Sequence, residues 1–298
     1  MPSSTIDESK FDSIPDAIEA FRNGEFLVVL DDPSRENEAD LIIAAEALTT
    51  GQMAFMIRHS SGYVCAPLAP AILDRLSLPP MVATNEDPRG TAYAVSVDAA
   101  DALVTTGISA HDRALTCRVL ADPAARAADL RRPGHVLPLR ARPGGVRERR
   151  GHTEAAVDFC RLAGKAEAAA ICELVDDGRA LEGRAVHEEA GMMRGEQCVD
   201  FARRFGLKVC TIADLVTYLE KTEGKLAVNG SSGARASRKR PSLVRVTEGG
   251  GCLLGLQSAK AEWRRWPHRQ LIVSKYIYIS MDIEGGSVKE KNSGALGF

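Results

Sequence analysis

The chain has 298 residues, 45% of them hydrophobic, and a formal net charge of −2 at pH 7. This length and apolar content are enough for a sizeable buried core. The charge is uneven, because residues 1–228 hold 26 Lys and Arg against 35 Asp and Glu, whereas residues 229–298 hold 12 against 5. An acidic larger part argues against a nucleic-acid binder, since phosphate backbones attract basic surfaces.

The seven cysteines stand singly, without a Cys-x-x-Cys pair or a spacing to histidine that is typical of zinc sites. No apolar run approaches the roughly 20 residues that a membrane-spanning helix needs, and the N-terminal residues lack the pattern of a signal peptide. Reduced thiols are the simplest interpretation of an odd cysteine count without export. We therefore expect a soluble, cytoplasmic protein that does not bind membranes.

Hydrophobic periodicity and turn residues predict helices and strands in irregular alternation. The predicted elements are, in chain order, a helix over 15–21, strands over 26–30 and 41–44, a helix over 50–59, strands over 63–65 and 91–97, a helix over 109–120 with Ser109 as its cap, a strand over 136–139, a helical pattern over 155–162, an apolar run over 168–175, a surface loop over 176–196, and a closing helix, strand and helix over 201–219. This order predicts an α+β fold, in which a single domain packs helices on the faces of a mixed sheet, as in an α/β/α sandwich.

The composition changes near residue 224. Residues 230–241 are rich in Gly, Ser and basic residues, which is typical of a flexible linker. The following segment contains Trp263, Trp266 and the strand-like run 276–279, but no sustained pattern. We predict a catalytic domain over 1–228, followed by a basic linker and largely disordered tail over 229–298.

The most unusual stretch is 31–40, which holds five carboxylates and Arg35 directly after the apolar run 26–30. Like charges at this density repel one another, so folding alone gains little from crowding them. A divalent cation such as Mg²⁺ would reverse that, because it binds carboxylate oxygens and keeps waters that a substrate can replace. The alternative is a solvated acidic turn.

Three later segments also place polar residues beside or within apolar runs, where a hydrophobic core would not favour them. Residues 132–135 predict a turn before a strand, residues 149–154 lead directly into a helical pattern, and Glu173 interrupts the apolar run 168–175. These segments and the acidic stretch together indicate a functional site.

Five short motifs resemble the 3,4-dihydroxy-2-butanone 4-phosphate synthase family of riboflavin biosynthesis, and they occur in that family's order. They are Arg35-Glu36-Asn37-Glu38, Thr105-Thr106-Gly107-Ile108-Ser109, Arg132-Pro133-Gly134-His135, Gly151-His152-Thr153-Glu154 and Cys172-Glu173-Leu174. The likeness runs from about residue 10 to about residue 223. The resemblance implies a Mg²⁺-dependent lyase that converts ribulose 5-phosphate to 3,4-dihydroxy-2-butanone 4-phosphate and formate.

The resemblance implies that Glu36 and His152 bind the metal, which is Mg²⁺ with Mn²⁺ as a substitute, and that a site can hold two ions. A carboxylate and a neutral imidazole, far apart in sequence, can hold one or two hard cations and leave coordination positions open. Without the resemblance, His152 would be interpreted as a helix-start histidine in ordinary hydrogen bonds.

The segment that precedes the helical pattern is expected to bind the substrate phosphate. Free backbone N–H groups and the positive end of the helix dipole favour an anion there, and the expected contacts are Arg149, Arg150, Gly151 and Thr153. Family members often have a smaller residue where Arg150 stands. The alternative is a capped helix with solvated arginines.

Four further residues are candidates for binding the substrate. Arg35 and Asp40 resemble substrate-binding positions of the family, and their alternative is a surface ion pair in the acidic turn. Thr106 and Cys65 are candidates for the wall of the site, although ordinary packing explains them equally well.

Proton transfer is expected of Glu173 and His135, with Asp31 assisting. Burial of an unpaired carboxylate in an apolar run would raise the pKa of Glu173 toward the range useful for proton transfer. His135 follows a rigid Pro-Gly turn. The alternatives are a carboxylate on the solvated face of an edge strand and a turn histidine bonded to backbone.

Two other functions compete with this interpretation. A metal-dependent sugar-phosphate isomerase or aldolase would use the same ligands, and formate release separates it from the lyase. The Arg-rich segment 126–150, together with the basic tail, could instead form a nucleic-acid or partner-binding surface. That segment contains Pro133, Pro138 and Pro143 but no interleaved aromatic residues, so we expect no nucleic-acid partner.

The resemblance also implies a homodimer. The acidic loop with Glu36 lies near the N-terminus, whereas His152 starts a helix more than 100 residues later. We therefore predict that a C2 dimer brings the loop of one chain against the helix start of the other, so that each site is built from both chains.

Overall fold

The computed structural model describes residues 8–226 and, further along the chain, the backbone of residues 270–274, 277–284 and 287–290. Within residues 8–226 the helices are α1 (Ile14–Arg22), α2 (Thr50–Arg58), α3 (Pro70–Arg75), α4 (Ala110–Ala121), α5 (His152–Ala163), α6 (Glu196–Arg204) and α7 (Ile212–Glu223). The strands there are β1 (Leu27–Leu30), β2 (Ala39–Ala44), β3 (Cys65–Leu68), β4 (Val97–Ala99), β5 (Leu130–Arg140), β6 (Ala169–Glu173), β7 (Val175–Asp176), β8 (Arg179–Ala180), β9 (His187–Glu188), β10 (Gly191–Met192) and β11 (Lys208–Thr211). None of the helices in the described segments has the length and apolar character that a membrane span requires.

The main sheet of residues 8–226 has seven strands in the order β11-β1-β2-β6-β3-β5-β4. The pairs β11–β1 and β3–β5 are parallel, and the other neighbouring pairs are antiparallel. All four residues of β1 are buried, as expected for an inner strand that is covered on both faces. The sheet is therefore mixed, as the sequence predicted.

Helices cover both faces of this sheet. Successive side chains of β1 point to opposite faces. Val28 and Leu30 pack in a cluster with residues of α2, α4 and α6, whereas Leu27 and Val29 pack with residues of α1, α5 and α7. This arrangement of helix, sheet and helix layers confirms the predicted α/β/α sandwich.

Two helix starts follow local capping residues in the sequence. α1 begins after Ser13, whose hydroxyl accepts a hydrogen bond from the Asp16 N–H at 3.2 Å, and its end is followed by Gly24 at a φ of 81°. Ser109 caps α4 in the same way, because it accepts from the Asp112 N–H at 3.0 Å. The sequence predicted both helices, and Ser109 is confirmed as a cap.

Two strand predictions fail, and one helix was not predicted. The strand predicted over 91–97 is wrong: apart from isolated bridges at Tyr93 and Ala94, this segment is a loop until β4 begins at Val97. β3 begins at Cys65, where the predicted strand ended. Periodicity does not separate an extended loop from a strand, because both have extended backbone, and the six residues of α3 are too few for a periodic pattern.

The turn predicted at 132–135 is also wrong, because this segment lies inside the long strand β5. The pairing of β4 with β5 shifts in register between Val97 and Asp98. A Cβ atom at Gly134 would overlap the backbone of both of these residues, so the two strands approach more closely than any other residue type allows. This approach places His135 beside Asp98.

The predicted surface loop over 176–196 contains the two-residue strands β8, β9 and β10 and the second residue of β7; β7 pairs with β10, and β8 pairs with β9. Their pairings fold the segment back on itself as two short antiparallel ribbons. The segment therefore lies outside the main sheet, as expected of a surface loop, but it contains more regular structure than a loop.

The chain divides into two compact units, residues 1–232 and 233–298. In the second unit β12 (Gln270–Ser274), β13 (Ile277–Glu284) and β14 (Ser287–Glu290) form an antiparallel sheet. The sequence predicted only 276–279 as strand-like within a largely disordered tail over 229–298. Most of that tail lies outside the described residues, so its disorder and the division at residue 228 stay predictions.

Replacing Gly134 by alanine is expected to lower Tm by roughly 2–12 °C. Overpacking costs about 1–3 kcal/mol, and 1 kcal/mol corresponds to about 2–4 °C in a chain of this size. Gly51→Ala is the matched control: Gly51 lies in the first turn of α2, where an added Cβ meets only Thr49 Oγ1 at 4.0 Å, so Tm should rise slightly because alanine favours a helix. Thermal unfolding followed by circular dichroism measures both variants, and equal effects would contradict the close approach of β4 and β5.

Candidate active site

The loop between β1 and β2 folds around the carboxylate of Asp31. This buried side chain accepts hydrogen bonds from the backbone N–H groups of Glu36 at 3.1 Å and Glu38 at 3.0 Å. It also accepts one from the Arg35 guanidinium at 2.8 Å, and Arg35 forms a second ion pair with Glu36. Asp31 therefore holds the acidic loop closed, while one guanidinium offsets the charge of two carboxylates.

His152 is the first residue of α5, and its ring is buried with only 7% of the side chain exposed. Its Nε2 lies 3.1 Å from the carbonyl oxygen of Val29. A carbonyl can only accept, so Nε2 carries the proton and the Nδ1 lone pair points toward the carboxylates of Glu36, at 4.0 Å, and Asp40, at 3.6 Å. Burial lowers the pKa of His152, so the ring is neutral and can donate its lone pair.

Asp31, Glu36 and His152 form a group whose potential ligand atoms all lie within 4.8 Å of one another. Two carboxylates and a neutral imidazole are suitable ligands for a divalent cation. All three residues belong to the same chain. The prediction that a dimer joins the Glu36 of one chain to the His152 of the other is therefore wrong, because α5 packs over the end of β1 that carries the acidic loop.

Asp40 and Glu173 extend the site across three neighbouring strands. Val29 pairs with Asp40 between β1 and β2, and Asp40 pairs with Glu173 between β2 and β6. Residues directly opposite each other in antiparallel strands point to the same face. Val29, whose carbonyl binds His152, and the two acidic residues Asp40 and Glu173 therefore lie in one row across the three strands, with their side chains on one face.

Asp40 is buried, with 3% of the residue exposed, and among the described residues its Oδ1 has no hydrogen-bond partner. Burial, and then the negative charges of Glu36 and Asp31, raise the pKa of Asp40 well above its ordinary value. An unpaired buried carboxylate oxygen is costly. A cation bound beside it would remove that cost, so the donor set fits a metal.

Glu173 is the last residue of β6, and its side chain is exposed at the rim of the site rather than buried as its apolar neighbours suggested. The strand ends there, so the carboxylate reaches past the core. Partial burial, and then the negative charges of Asp40 and Glu38, raise the pKa of Glu173 to about 7. This carboxyl can therefore exchange a proton near neutral pH.

One cavity brings most of these groups together. Eight residues singled out in the sequence contribute to its lining, namely Arg35, Glu36, Asp40, Cys65, Arg149, His152, Thr153 and Glu173. Six lining residues were missed, namely Tyr63, Thr91, Tyr93, Leu139, Ile171 and Cys172. Cys172 belongs to one of the five family motifs and could have been found from it. The other five carried no signal in the sequence, because they reach the cavity only through the pairing of distant strands and a loop.

Arg149 is held in a fixed orientation at the wall of the cavity. It donates to the carboxylate of Glu154 at 2.6 Å and to the hydroxyl of Thr91 at 3.1 Å. Gly151, the cap of α5, makes room for it, since a Cβ there would overlap the guanidinium. Thr153 is buried in the first turn of the helix, whereas Arg150 is exposed and is not among the described lining residues.

Cys65 lies in β3, and its buried thiol contacts the Tyr93 hydroxyl. Burial raises the pKa of both groups. Both therefore keep their protons, and Cys65 forms part of the wall rather than a nucleophile.

A second polar group lies outside the described lining of this cavity. The Asp98 carboxylate accepts hydrogen bonds from the backbone N–H of His135 and from its ring Nδ1–H, each at 2.8 Å. The His135 side chain is 41% exposed, and Thr106 is exposed as well. The sequence predicted His135 and Thr106 but missed Asp98, which is a single aspartate without a motif around it.

Arginines of the segment 126–150 make ion pairs within the chain. Arg140 pairs with Asp74 at 2.6 Å, and Arg147 pairs with Glu223 at 2.8 Å. These pairs reduce the cationic surface that a nucleic acid would need.

Comparison with known proteins gives one consistent result. Residues 15–218 match the family described as 3,4-dihydroxy-2-butanone 4-phosphate synthase. The protein of that name from Pyricularia oryzae is 67% identical over 232 residues, which cover 78% of this chain and 100% of that protein. The one from Saccharomyces cerevisiae is 49% identical over 217 residues, with coverage of 71% and 100%. A crystal structure of 3,4-dihydroxy-2-butanone 4-phosphate synthase in complex with two magnesium ions is 68% identical, with a TM-score of 0.72 and coverage of 72% of this chain and 100% of that one.

Asp40→Asn is expected to stabilise the protein in EDTA at pH 8. The folded state raises the pKa of Asp40, so the stability of the wild type falls as the pH rises from the ordinary carboxyl range through the raised value. Asparagine cannot ionise, so Tm of the variant should exceed that of the wild type by a few degrees at pH 8 and by little near pH 4. Asp32→Asn is the control, because Asp32 is exposed in the same loop. A difference that does not grow with pH would contradict the burial of an unpaired carboxylate.

Proposed function

The chain belongs to the 3,4-dihydroxy-2-butanone 4-phosphate synthase family, and we propose that it converts ribulose 5-phosphate to 3,4-dihydroxy-2-butanone 4-phosphate and formate. It is then a Mg²⁺-dependent carbon–carbon lyase of riboflavin biosynthesis. The observation that carries the proposal is one cavity that holds Glu36 and His152 together with Arg149 and Thr153 at the start of α5. A cation site and an anion site side by side suit a phosphorylated sugar.

Glu36 and His152 are assigned to the metal, which is Mg²⁺ with Mn²⁺ as a substitute. The neutral His152 ring, with its lone pair directed at carboxylates, supports this assignment, as does the unpaired Oδ1 of Asp40. The related magnesium complex holds two ions, and two per site are proposed here. Bound Mg²⁺ would polarise sugar oxygens and stabilise the negative charge that develops when a proton leaves C3.

The chain's own groups bind the two ends of the sugar phosphate. The start of α5 offers backbone N–H groups without helical partners. Thr153 adds a hydroxyl there, and Arg149, held by Glu154, adds fixed donors. Arg35 and Asp40 also line the cavity, where they can orient sugar hydroxyls.

Glu173 is assigned to proton transfer, because its pKa of about 7 lets it accept and return protons at physiological pH. His135, with its Nδ1–H held by Asp98, has its Nε2 available as a second acid or base. Asp31 assists by keeping the acidic loop closed. An isomerase or aldolase would use the same groups, and only formate release separates the two reactions.

The homodimer is also proposed, now with a different division of the site. The His135 side chain is 41% exposed, and the loop between β4 and α4, which packs against it at Gly107, exposes Leu103 and Ile108. Exposed apolar side chains beside a polar group are typical of an interface. We assign the His135 of one copy to the cavity of the other, so that a C2 dimer has two equivalent sites.

A cytoplasmic location belongs to the same proposal, and the free cysteines of the described residues agree with a reducing compartment.

Formate release from ribulose 5-phosphate tests the reaction. Purified protein with Mg²⁺ should release formate, and EDTA should stop it. Glu36→Gln and His152→Ala should each lower kcat/KM more than about a hundredfold because each removes a ligand. Glu173→Gln should lower kcat with little change in KM, as expected for a group that acts in the transition state. Asp32→Asn is the control and should keep the wild-type rate; consumption of substrate without formate would point to an isomerase or aldolase.

Mixing inactive variants tests the shared site. In a heterodimer of Glu36→Gln and His135→Ala chains, one site carries both lesions and the other carries neither. Free exchange should therefore restore about a quarter of the wild-type sites. Glu36→Gln mixed with His152→Ala is the matched control and should restore nothing, since those residues lie in one chain. Differently tagged chains verify exchange, and no recovery in the first mixture despite exchange would disprove the assignment of His135 to the partner's cavity.

A further inference from the structure

A buried carboxylate on α4 organises the loop that precedes that helix. Asp112, of which 1% is exposed, accepts hydrogen bonds on Oδ2 from the Thr105 N–H at 3.2 Å, the Thr105 hydroxyl at 2.7 Å and the Gly107 N–H at 3.0 Å. Its Oδ1 lies 3.2 Å from Nδ1 of His111. Burial opposes ionisation of Asp112, yet the hydrogen bonds from Thr105, His111 and Gly107 outweigh it and hold its pKa below the usual range. The loop is thus tied to the helix through a single charged side chain.

This loop lies directly against the Asp98–His135 pair. Gly107 has a φ of 92°, and a Cβ built there would overlap the Asp98 carboxylate and come within 2.5 Å of His135 Nδ1. The backbone at Gly107 therefore forms one wall of the space in which the two side chains meet. A small displacement of the loop would push the carboxylate away from the ring.

A second connection runs from the same turn of α4 to the backbone beside Asp98. The Asp112 carbonyl accepts a hydrogen bond from the Thr116 hydroxyl at 2.9 Å, and that hydroxyl accepts one from the Ala99 N–H at 2.9 Å. Thr116 is fully buried. Ala99 follows Asp98 in β4, so α4 holds this aspartate both from the loop side and through its own strand.

We infer that Asp112 and Thr116 are positioning residues that fix the tautomer and orientation of His135 through Asp98. The inference rests on the proposed function, in which His135 exchanges a proton with the substrate. Asp98 binds the Nδ1–H and the backbone N–H of the same histidine, so the geometry of the carboxylate decides which ring nitrogen is protonated. If Asp98 rotates or shifts, the proton can occupy Nε2 instead, and the ring then no longer offers a base there.

Steady-state kinetics of formate release distinguish positioning from general stability. Asp112→Asn and Thr116→Val should each lower kcat about tenfold or more, while KM and the Mg²⁺ requirement stay within about twofold. Thr116→Ser keeps the hydroxyl and should restore most of kcat. The control is Asp12→Asn: Asp12 also accepts a backbone N–H, from Val209 at 2.9 Å, but beside β11 at the opposite edge of the sheet, so it should lower Tm without lowering kcat.

A double-mutant cycle sharpens the test. When His135→Ala is already present, Asp112→Asn and Thr116→Val should cause no further loss of kcat, because positioning has no effect once the ring is absent. If instead the loss of kcat from each variant multiplies with the loss from His135→Ala, both residues act by some route other than His135, and the inference is overturned. An unchanged kcat in the single variants, measured well below their Tm, would overturn it as well.

NMR of the ring ¹⁵N nuclei of His135 tests the inference without the need for turnover. The wild type should show the Nδ1–H tautomer, and Asp112→Asn and Thr116→Val should show a mixture. If the wild type releases no formate, the proposed function fails, but the NMR measurement still tests whether Asp112 and Thr116 position His135. If Asp112→Asn does not fold, the comparison of Thr116→Val with Thr116→Ser replaces it. A tautomer that is identical in all variants would refute the inference.

Discussion

Crowding of negative charge around one neutral imidazole is the constraint on which the rest of the site depends. Asp31, Glu36 and Asp40 approach the buried ring of His152 where β1 ends, β2 lies alongside and α5 begins. Such a cluster costs stability in the absence of a cation, because buried like charges repel one another and lose hydration. The fold sustains the cluster through backbone donors to Asp31, the ion pairs of Arg35 and Arg89, and the carbonyl of Val29. Stability is thus lowered where a cation is to be bound.

The order of the strands explains why these groups meet. The neighbours β1, β2 and β6 place Val29, Asp40 and Glu173 in one row, and α5 lies across the same face. Because Asp40 and Glu173 stand opposite each other, ionisation of one opposes ionisation of the other, which contributes to the raised pKa of Glu173. A group suited to proton transfer therefore follows from the register of two strands, without any special local sequence.

The other half of the candidate machinery, Asp98 with His135, belongs to the far edge of the sheet. It depends on the close approach of β4 and β5 at Gly134 and on the loop held by Asp112. The proposed dimer would join the two halves across a symmetry axis. Regular elements then support both groups of residues: β4 and β5 hold Asp98 and His135, whereas β1, β2 and α5 surround the metal ligands. The acidic loop and Arg35 provide the contacts that a substrate or cation can rearrange.

By itself the sequence determined whatever depends on near neighbours along the chain. The capped starts of α1 and α4, the acidic loop, the helix that begins at His152 and the family motifs are of this kind, because capping and periodicity act within a few residues. Only the tertiary structure decided the rest: the segment 132–135 is part of a strand, Asp98 orients His135, and Glu36 and His152 share one chain. These outcomes depend on strand register and helix packing between distant segments, and no local pattern encodes which partner strand lies beside a given residue.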